Sequence, residues 1–216
     1  CVSTIRGLLS DAAQMDGTSR NNGWLSKTAV LYLQADVALY SGDYETAITS
    51  GNAVIVKAND AYFTSEGISN LWAKDSYAGR IFAFNTHSTY YSNIQFSIQE
   101  GDYFCVNPKL NVGTSDLRYT SFTYPFVMNG TVRTLLGKYN RCNKLNQTTA
   151  YINTMRYAGA YYIVAEAYCR KGETEAARVL INHYWHCIGV SEAPAGITNQ
   201  ALLELILTDK QREFVG

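Results

Sequence analysis

The sequence has little charge of either sign and no excess of one. Asp, Glu, Lys and Arg make up 17% of its 216 residues and cancel to a formal net charge of zero, where ~25% charged is usual. No basic patch or charged run stands out, which argues against nucleic acid and anionic membranes as partners. No apolar run reaches the ~20 residues of a membrane-spanning helix. The five cysteines are scattered at 1, 105, 142, 169 and 187 without CxxC spacing. They supply neither a disulfide framework nor a zinc ligand set. Catalytic signatures are missing too: there is no GxSxG, GxGxxG or HExxH, and no GxxxxGK followed by Ser or Thr.

Two weaker arrangements were weighed against catalysis. His183, His186 and Cys187 put ligand-type side chains on one helix, but no third or fourth oxygen or nitrogen ligand has an obvious source. No metal and no cofactor is expected. A glycosidase needs two carboxylates ~5–10 Å apart. Asp36 and Glu166 are the acids in repeated, apolar surroundings, and their helix positions favour structural pairing, for example with Arg156 or Lys138. The chain is not expected to be an enzyme.

What the sequence does have is helical hairpins. From Arg156 to Trp185, Tyr157, Tyr161, Val164 and Tyr168 recur at steps of three and four, and Ala158, Ala160, Ala165 and Ala167 let another helix come close. Lys171-Gly172 breaks the run, with Gly suited to the left-handed turn after a helix. Ala177, Leu180-Ile181, Tyr184 and Ile188 give the second helix its stripe. The pattern recurs earlier: Ala35-Asp36-Val37 then Gly42-Asp43-Tyr44-Glu45-Thr46-Ala47 aligns with Ala165-Glu166-Ala167 then Gly172 through Ala177. This Gly-x-x-x-x-Ala spacing is that of tetratricopeptide helix pairs. Adjacent repeats of that kind start ~34 residues apart. These two are much further apart, so other structure must lie between them.

The expected fold class is therefore mostly α, with tetratricopeptide-like helix pairs at 28–57 and 156–187 packed near each other. One domain, 1–216, divides into first helices and helix pair (1–60), a loop-rich insertion (61–149) and a second helix pair with a closing helix (150–216). Ser26 is expected to cap the helix starting near Thr28, and Thr198-Asn199 the last one. Within the insertion only Ile81 to Thr86 alternates like a short strand. A long irregular insertion in a helical protein is commonly functional.

The insertion also carries much of the aromatic content of a chain with 17 tyrosines. Between Trp72 and Phe126, aromatic rings stand among Asn85, Asn93, Gln95, Asn107 and Asn111. Sugars are held by rings stacked on their flat faces and by amides and acids at their rims. Trp72, Tyr90, Tyr91 and Tyr103 are the candidate ligand-binding residues. Trp72 has the largest face, Tyr90-Tyr91 sit in a polar stretch, and Tyr103 follows the turn-forming Gly101-Asp102. Asp116 and Arg118 read as a turn-stabilising pair. Asn129-Gly130-Thr131 has the form of a glycosylation sequon.

The order of these pieces resembles the SusD-like (RagB/SusD) family of Bacteroidetes. The likeness rests on Ser26 through Ala47-Ile48, Asp116-Leu117-Arg118, Lys138-Tyr139, Arg156-Tyr157-Ala158, Ala165-Glu166-Ala167, and Asp209 through Arg212-Glu213-Phe214. The sequence departs from the family pattern at Gly159, where Glu is usual, and after Asn182. The resemblance implies a non-catalytic lipoprotein on the extracellular face of the outer membrane. Such a protein captures oligosaccharides or other nutrients and delivers them to a SusC-like TonB-dependent transporter. It implies a lipid anchor in the full-length protein, and this chain reads as an excerpt from within one. The tetratricopeptide likeness alone implies instead a helical-repeat scaffold for protein or peptide partners.

Overall fold

Small residues and left-handed turns set the helical scaffold of this computed structural model, which describes residues 1–14, 25–74, 76–85, 113–136, 138 and 151–214. Helix α1 (Val2–Gln14) precedes the first pair, α2 (Lys27–Tyr40) and α3 (Tyr44–Ile55). As expected, Ser26 caps α2, its hydroxyl accepting from the Ala29 N–H at 3.2 Å. Gly42 turns the chain at φ 78°, and Asp43 caps α3 through the Thr46 N–H at 3.2 Å. The second pair is α6 (Tyr157–Lys171) and α7 (Thr174–Cys187), joined at Gly172 with φ 81°. The closing helix α8 is Asn199–Phe214. No helix among the described residues is long and apolar enough to cross a membrane.

Helix α6 is the centre of the molecule. It touches α2, α3, α7 and α8, and from Tyr157 to Ala167 every residue is buried. A helix covered on all sides loses the one-sided pattern of a surface helix. Each fully buried aliphatic side chain here, such as Ile163 or Val164, contributes ~1.5–3 kcal/mol relative to exposure. The two pairs thus pack together as expected. The helical spacing of Ala29, Leu33 and Val37 predicts the inward stripe of α2, but the buried face is rotated from it. Ala29, Tyr32, Ala35 and Ala38 are buried, while Leu33 and Val37 are only half-buried.

Two glycines permit close approaches between helices. A Cβ on Gly51 of α3 would run into Val164, and one on Gly159 of α6 into the hydroxyl of Tyr32. The second explains the departure from Glu at this position: the Tyr32 ring fills the space a side chain would take. Gly159→Ala is expected to lower stability by ~1–3 kcal/mol through overpacking, despite the better helix propensity of Ala. Tyr32→Phe in that background should return part of the loss, since the hydroxyl is the nearest atom. Urea denaturation of the single and double variants checks both.

The region between the pairs has more order than the sequence reading gave it. A 3-10 turn (Asp60–Phe63) leads into α4 (Ser65–Ala73). Strand β1 (Arg80–Asn85), close to the expected alternation, pairs antiparallel with β4 (Tyr151–Arg156) across two irregularities in register. A short helix α5 (Tyr119–Phe122) runs into a hairpin of β2 (Thr123–Met128) and β3 (Thr131–Leu136). Its turn is Asn129-Gly130, with φ of 51° and 76°, the left-handed pair that two-residue hairpin turns demand. The expectation of a single short strand in 61–149 is corrected accordingly.

Candidate functional site

The charged residues of four of the motifs behind the family resemblance, Asp116, Arg118, Lys138, Arg156, Asp209 and Glu213, meet in one buried ionic cluster. Asp116 holds Arg118 as a turn, accepting from its backbone N–H at 2.9 Å and from its guanidinium at 2.7 Å. Arg118 then reaches beyond the turn, to Asp209 at 2.7 Å and Glu213 at 3.0 Å on α8. Arg156, at the junction of β4 and α6, donates to the Glu213 carboxylate at 2.9 Å and to its backbone carbonyl at 2.6 Å. Lys138 donates to the same carbonyl at 2.7 Å. Neutral donors fill the remaining lone pairs: Tyr162 and Trp185 donate to Asp209 at 2.5 and 2.8 Å, and Tyr184 to Glu213 at 3.1 Å.

The charges of this cluster match. Three acids (Asp116, Asp209, Glu213) face three cations (Arg118, Lys138, Arg156), and all six are buried. Burial pushes the Glu213 carboxyl upward, but Arg156, Arg118 and Lys138 outweigh it and hold the group below its ordinary value. Burial pushes the phenols of Tyr162 and Tyr184 well up, so both remain neutral donors. Arg156 and Lys138 therefore serve Glu213, in place of the pairing with Asp36 or Glu166 that the sequence reading offered.

Trp72 belongs to this cluster rather than to a binding surface. It is 4% exposed, with Lys138 and Arg156 each 5.1 Å from its ring centroid and Phe122 edge-on at 5.7 Å. Cations placed over a Trp ring gain from its quadrupole. The ring occupied by Lys138 and Arg156 is not open for stacking on a sugar, which corrects the expectation for this residue. Its helix places it there: Ile68, Leu71 and Trp72 are the buried face of α4. Tyr90, Tyr91 and Tyr103 lie outside the described residues.

Strand β1 is tied to both β4 and α4. Arg80 of β1 donates to Asn153 of β4, and also to the α4 carbonyls of Leu71 at 3.0 Å and Lys74 at 2.8 Å. Asn153 donates to Leu71 O at 2.7 Å. These bonds satisfy carbonyls that the end of α4 would otherwise leave unpaired. They tie β1 and β4 to one helix.

A second arrangement is a polar groove of about 560 Å³ between α2, α6 and α8. Asp36, Tyr40, Tyr44, Glu166, Arg170 and Lys210 line it. Glu166 is paired with Arg170 at 2.8 Å and Lys210 at 2.9 Å. Burial raises its carboxyl, but these two cations outweigh that and leave it lowered. Tyr40 stands 86% exposed at the edge. No single stretch of sequence signals this groove, because it forms only where separate helices meet.

Comparison with known proteins agrees with this architecture. The family profile described as "SusD family" matches residues 21–216. A search of curated proteins found no match. Among solved structures, a SusD-like carbohydrate binding protein from Bacteroides vulgatus superposes with TM-score 0.79 at 18% identity, over 99% of this chain and 48% of its own. A SusD superfamily protein from Bacteroides thetaiotaomicron gives 0.75 at 19% identity, over 100% of this chain and 52% of its own. A SusD-like protein from Bacteroides fragilis gives 0.70 at 19% identity, over 100% and 57%. The chain thus spans about half the length of these structures. The profile match over most of the chain, with the shared fold and the motif residues gathered in one cluster, places it as a member of the SusD family.

Proposed function

We propose that this chain is part of a cell-surface protein that captures glycans without cleaving them and passes them to a TonB-dependent transporter in the outer membrane. Family membership supports a nutrient-binding role, and one related structure is described as a carbohydrate binding protein. The observation that carries the reading is the anchoring of the insertion. Paired β1 and β4, locked to α4 by Arg80 and Asn153, form a fixed scaffold from which the chain continues after Asn85, and rigid scaffolds commonly position binding residues. Tyr90, Tyr91 and Tyr103 are the proposed stacking rings. The acids of the central cluster are bound by cations and neutral donors, which leaves them poor general acids or bases. A lipid anchor on the full-length protein is part of the same proposal.

The test is calorimetry of the full-length protein against a panel of oligosaccharides. Tyr90→Ala, Tyr91→Ala or Tyr103→Ala should weaken binding of the identified glycan by ~1–3 kcal/mol, the scale of a recognition anchor, with the melting temperature unchanged. The bound oligosaccharide should be recovered at its original chain length. Progressive shortening, or melting temperatures that fall with every substitution while affinity holds, would overturn the reading.

A second reading is favoured by the groove. Its charged walls and the exposed Tyr40 suit a segment of a protein partner held by the helix-pair scaffold. Lys210→Glu and Tyr40→Ala should then reduce capture of that partner, the transporter first of all, and leave glycan affinity untouched.

A further inference from the structure

The ligand that the sequence did not reveal beside His183 and Cys187 comes from far away in the chain. Asp60 opens the 3-10 turn after α3, 123 residues before His183, and its carboxylate lies 3.2 Å from His183 Nε2. His183 and Cys187 stand one turn apart on α7, so both side chains point the same way. One oxygen, one nitrogen and one sulfur from these three residues all lie within 4.8 Å of one another. His186 diverges from them, bonded through Nδ1 to Glu192 at 3.1 Å.

We propose that Asp60, His183 and Cys187 form a site for a divalent transition metal, Zn2+ in the first place, with its fourth position open to water. The donor set is borderline-soft, one carboxylate, one imidazole and one thiolate, which suits Zn2+ and disfavours Mg2+ and Ca2+. Bonds of ~2.0–2.3 Å to a tetrahedral ion place ligand atoms ~3.3–3.8 Å apart, so closing the cluster needs small rotations of exposed side chains. The side chains of His183 and Asp60 are 50% and 66% exposed, which leaves the ion a path of entry. Tyr161, buried beneath, stacks on the His183 ring at 25° and 6.0 Å between centroids. On binding, the Cys187 S–H bond is replaced by a sulfur–metal bond and the proton passes to solvent. The ion would clip the 3-10 turn to α7.

Cobalt(II), which takes zinc sites and reports on them, is the probe. The metal-stripped full-length protein should bind one equivalent of Co2+, with a thiolate-to-cobalt charge-transfer band and the intense visible bands of four-coordinate cobalt. Zn2+ should bleach both. Cys187→Ser should abolish the charge-transfer band. His183→Ala and Asp60→Asn should each weaken binding at least ~100-fold, the upper end of the cost of losing even an outer-shell partner. His186→Ala should change nothing. Circular dichroism confirms that each variant is folded. Independently of any variant, Zn2+ should slow alkylation of Cys187 in the unaltered protein, read by peptide mass mapping. The proposal is overturned by a missing charge-transfer band, by one that survives Cys187→Ser, by affinities indifferent to His183 and Asp60, or by alkylation of Cys187 at the same rate with and without Zn2+.

Discussion

Arg118→Ala is expected to lower the unfolding free energy by ~3–5 kcal/mol, the cost of breaking a buried ion pair by removing one partner. For a protein stable by ~5–15 kcal/mol, that is a large share of the whole. Arg118 is 1% exposed and bonds all three acids of the central cluster. Among the described residues, its loss leaves Asp116 without a cation and leaves Asp209 only the distant Arg212, at 3.9 Å. The penalty lies in the stranded charges rather than in the lost attraction. Adding Asp209→Ala to Arg118→Ala should therefore cost less than the sum of the single changes, with a coupling of ~0.5–3 kcal/mol. Urea denaturation of the full-length protein measures all three. A loss below ~1 kcal/mol for Arg118→Ala would mean that water enters the cluster and screens it.

The helix pairs were legible because their signals are local. Ser26, Gly42, Asp43 and Gly172 act within a few residues of themselves, and the Gly-x-x-x-x-Ala spacing records helices that touch. The cluster was legible only as a set of motif residues. Asp116-Leu117-Arg118, Lys138, Arg156 and the Asp209–Glu213 segment carry the family likeness, yet nothing local says that they meet. Apart from the local Asp116–Arg118 turn, each charge is satisfied by a partner on another element, a relation that periodicity does not encode.

Two misses had signals that were present but read otherwise. Asn129-Gly130 is a strong short-range hairpin signal when strands flank it, and with Thr131 it also has the form of a glycosylation sequon. Thr64 followed by Ile68, Leu71 and Trp72 gives a cap and a helical step; the Thr64 hydroxyl indeed accepts from the Gly67 N–H at 3.1 Å. Reading Trp72 as a stacking platform hid the helix that buries it. The Asp60–His183 contact had no sequence signal, since it depends on how the turn after α3 comes to rest against α7.

The second large effect is expected at Glu213, and its signature is a change in pH dependence. Glu213→Gln keeps the shape of the side chain and removes its charge. Three buried cations would then face two acids, Asp116 and Asp209, and stability should fall by ~3–5 kcal/mol at neutral pH. In the native protein the Glu213 carboxyl titrates below its ordinary value of 4.5. A group whose pKa is depressed by folding adds stability above its unfolded pKa, and that stability is lost as pH falls through the folded one. The native protein should thus lose stability progressively below about pH 4.5. Glu213→Gln has no such proton to take up, so its stability should fall less steeply over the same range, and the two curves should converge in acid. Glu166 is lowered as well and keeps some slope in both proteins, which Glu166→Gln removes separately. Unfolding free energies measured by urea between neutral pH and pH 3 decide the matter. Parallel curves for native protein and Glu213→Gln would show that Glu213 is not held ionised by Arg118, Arg156 and Lys138, and that the cluster holds α8 by packing alone.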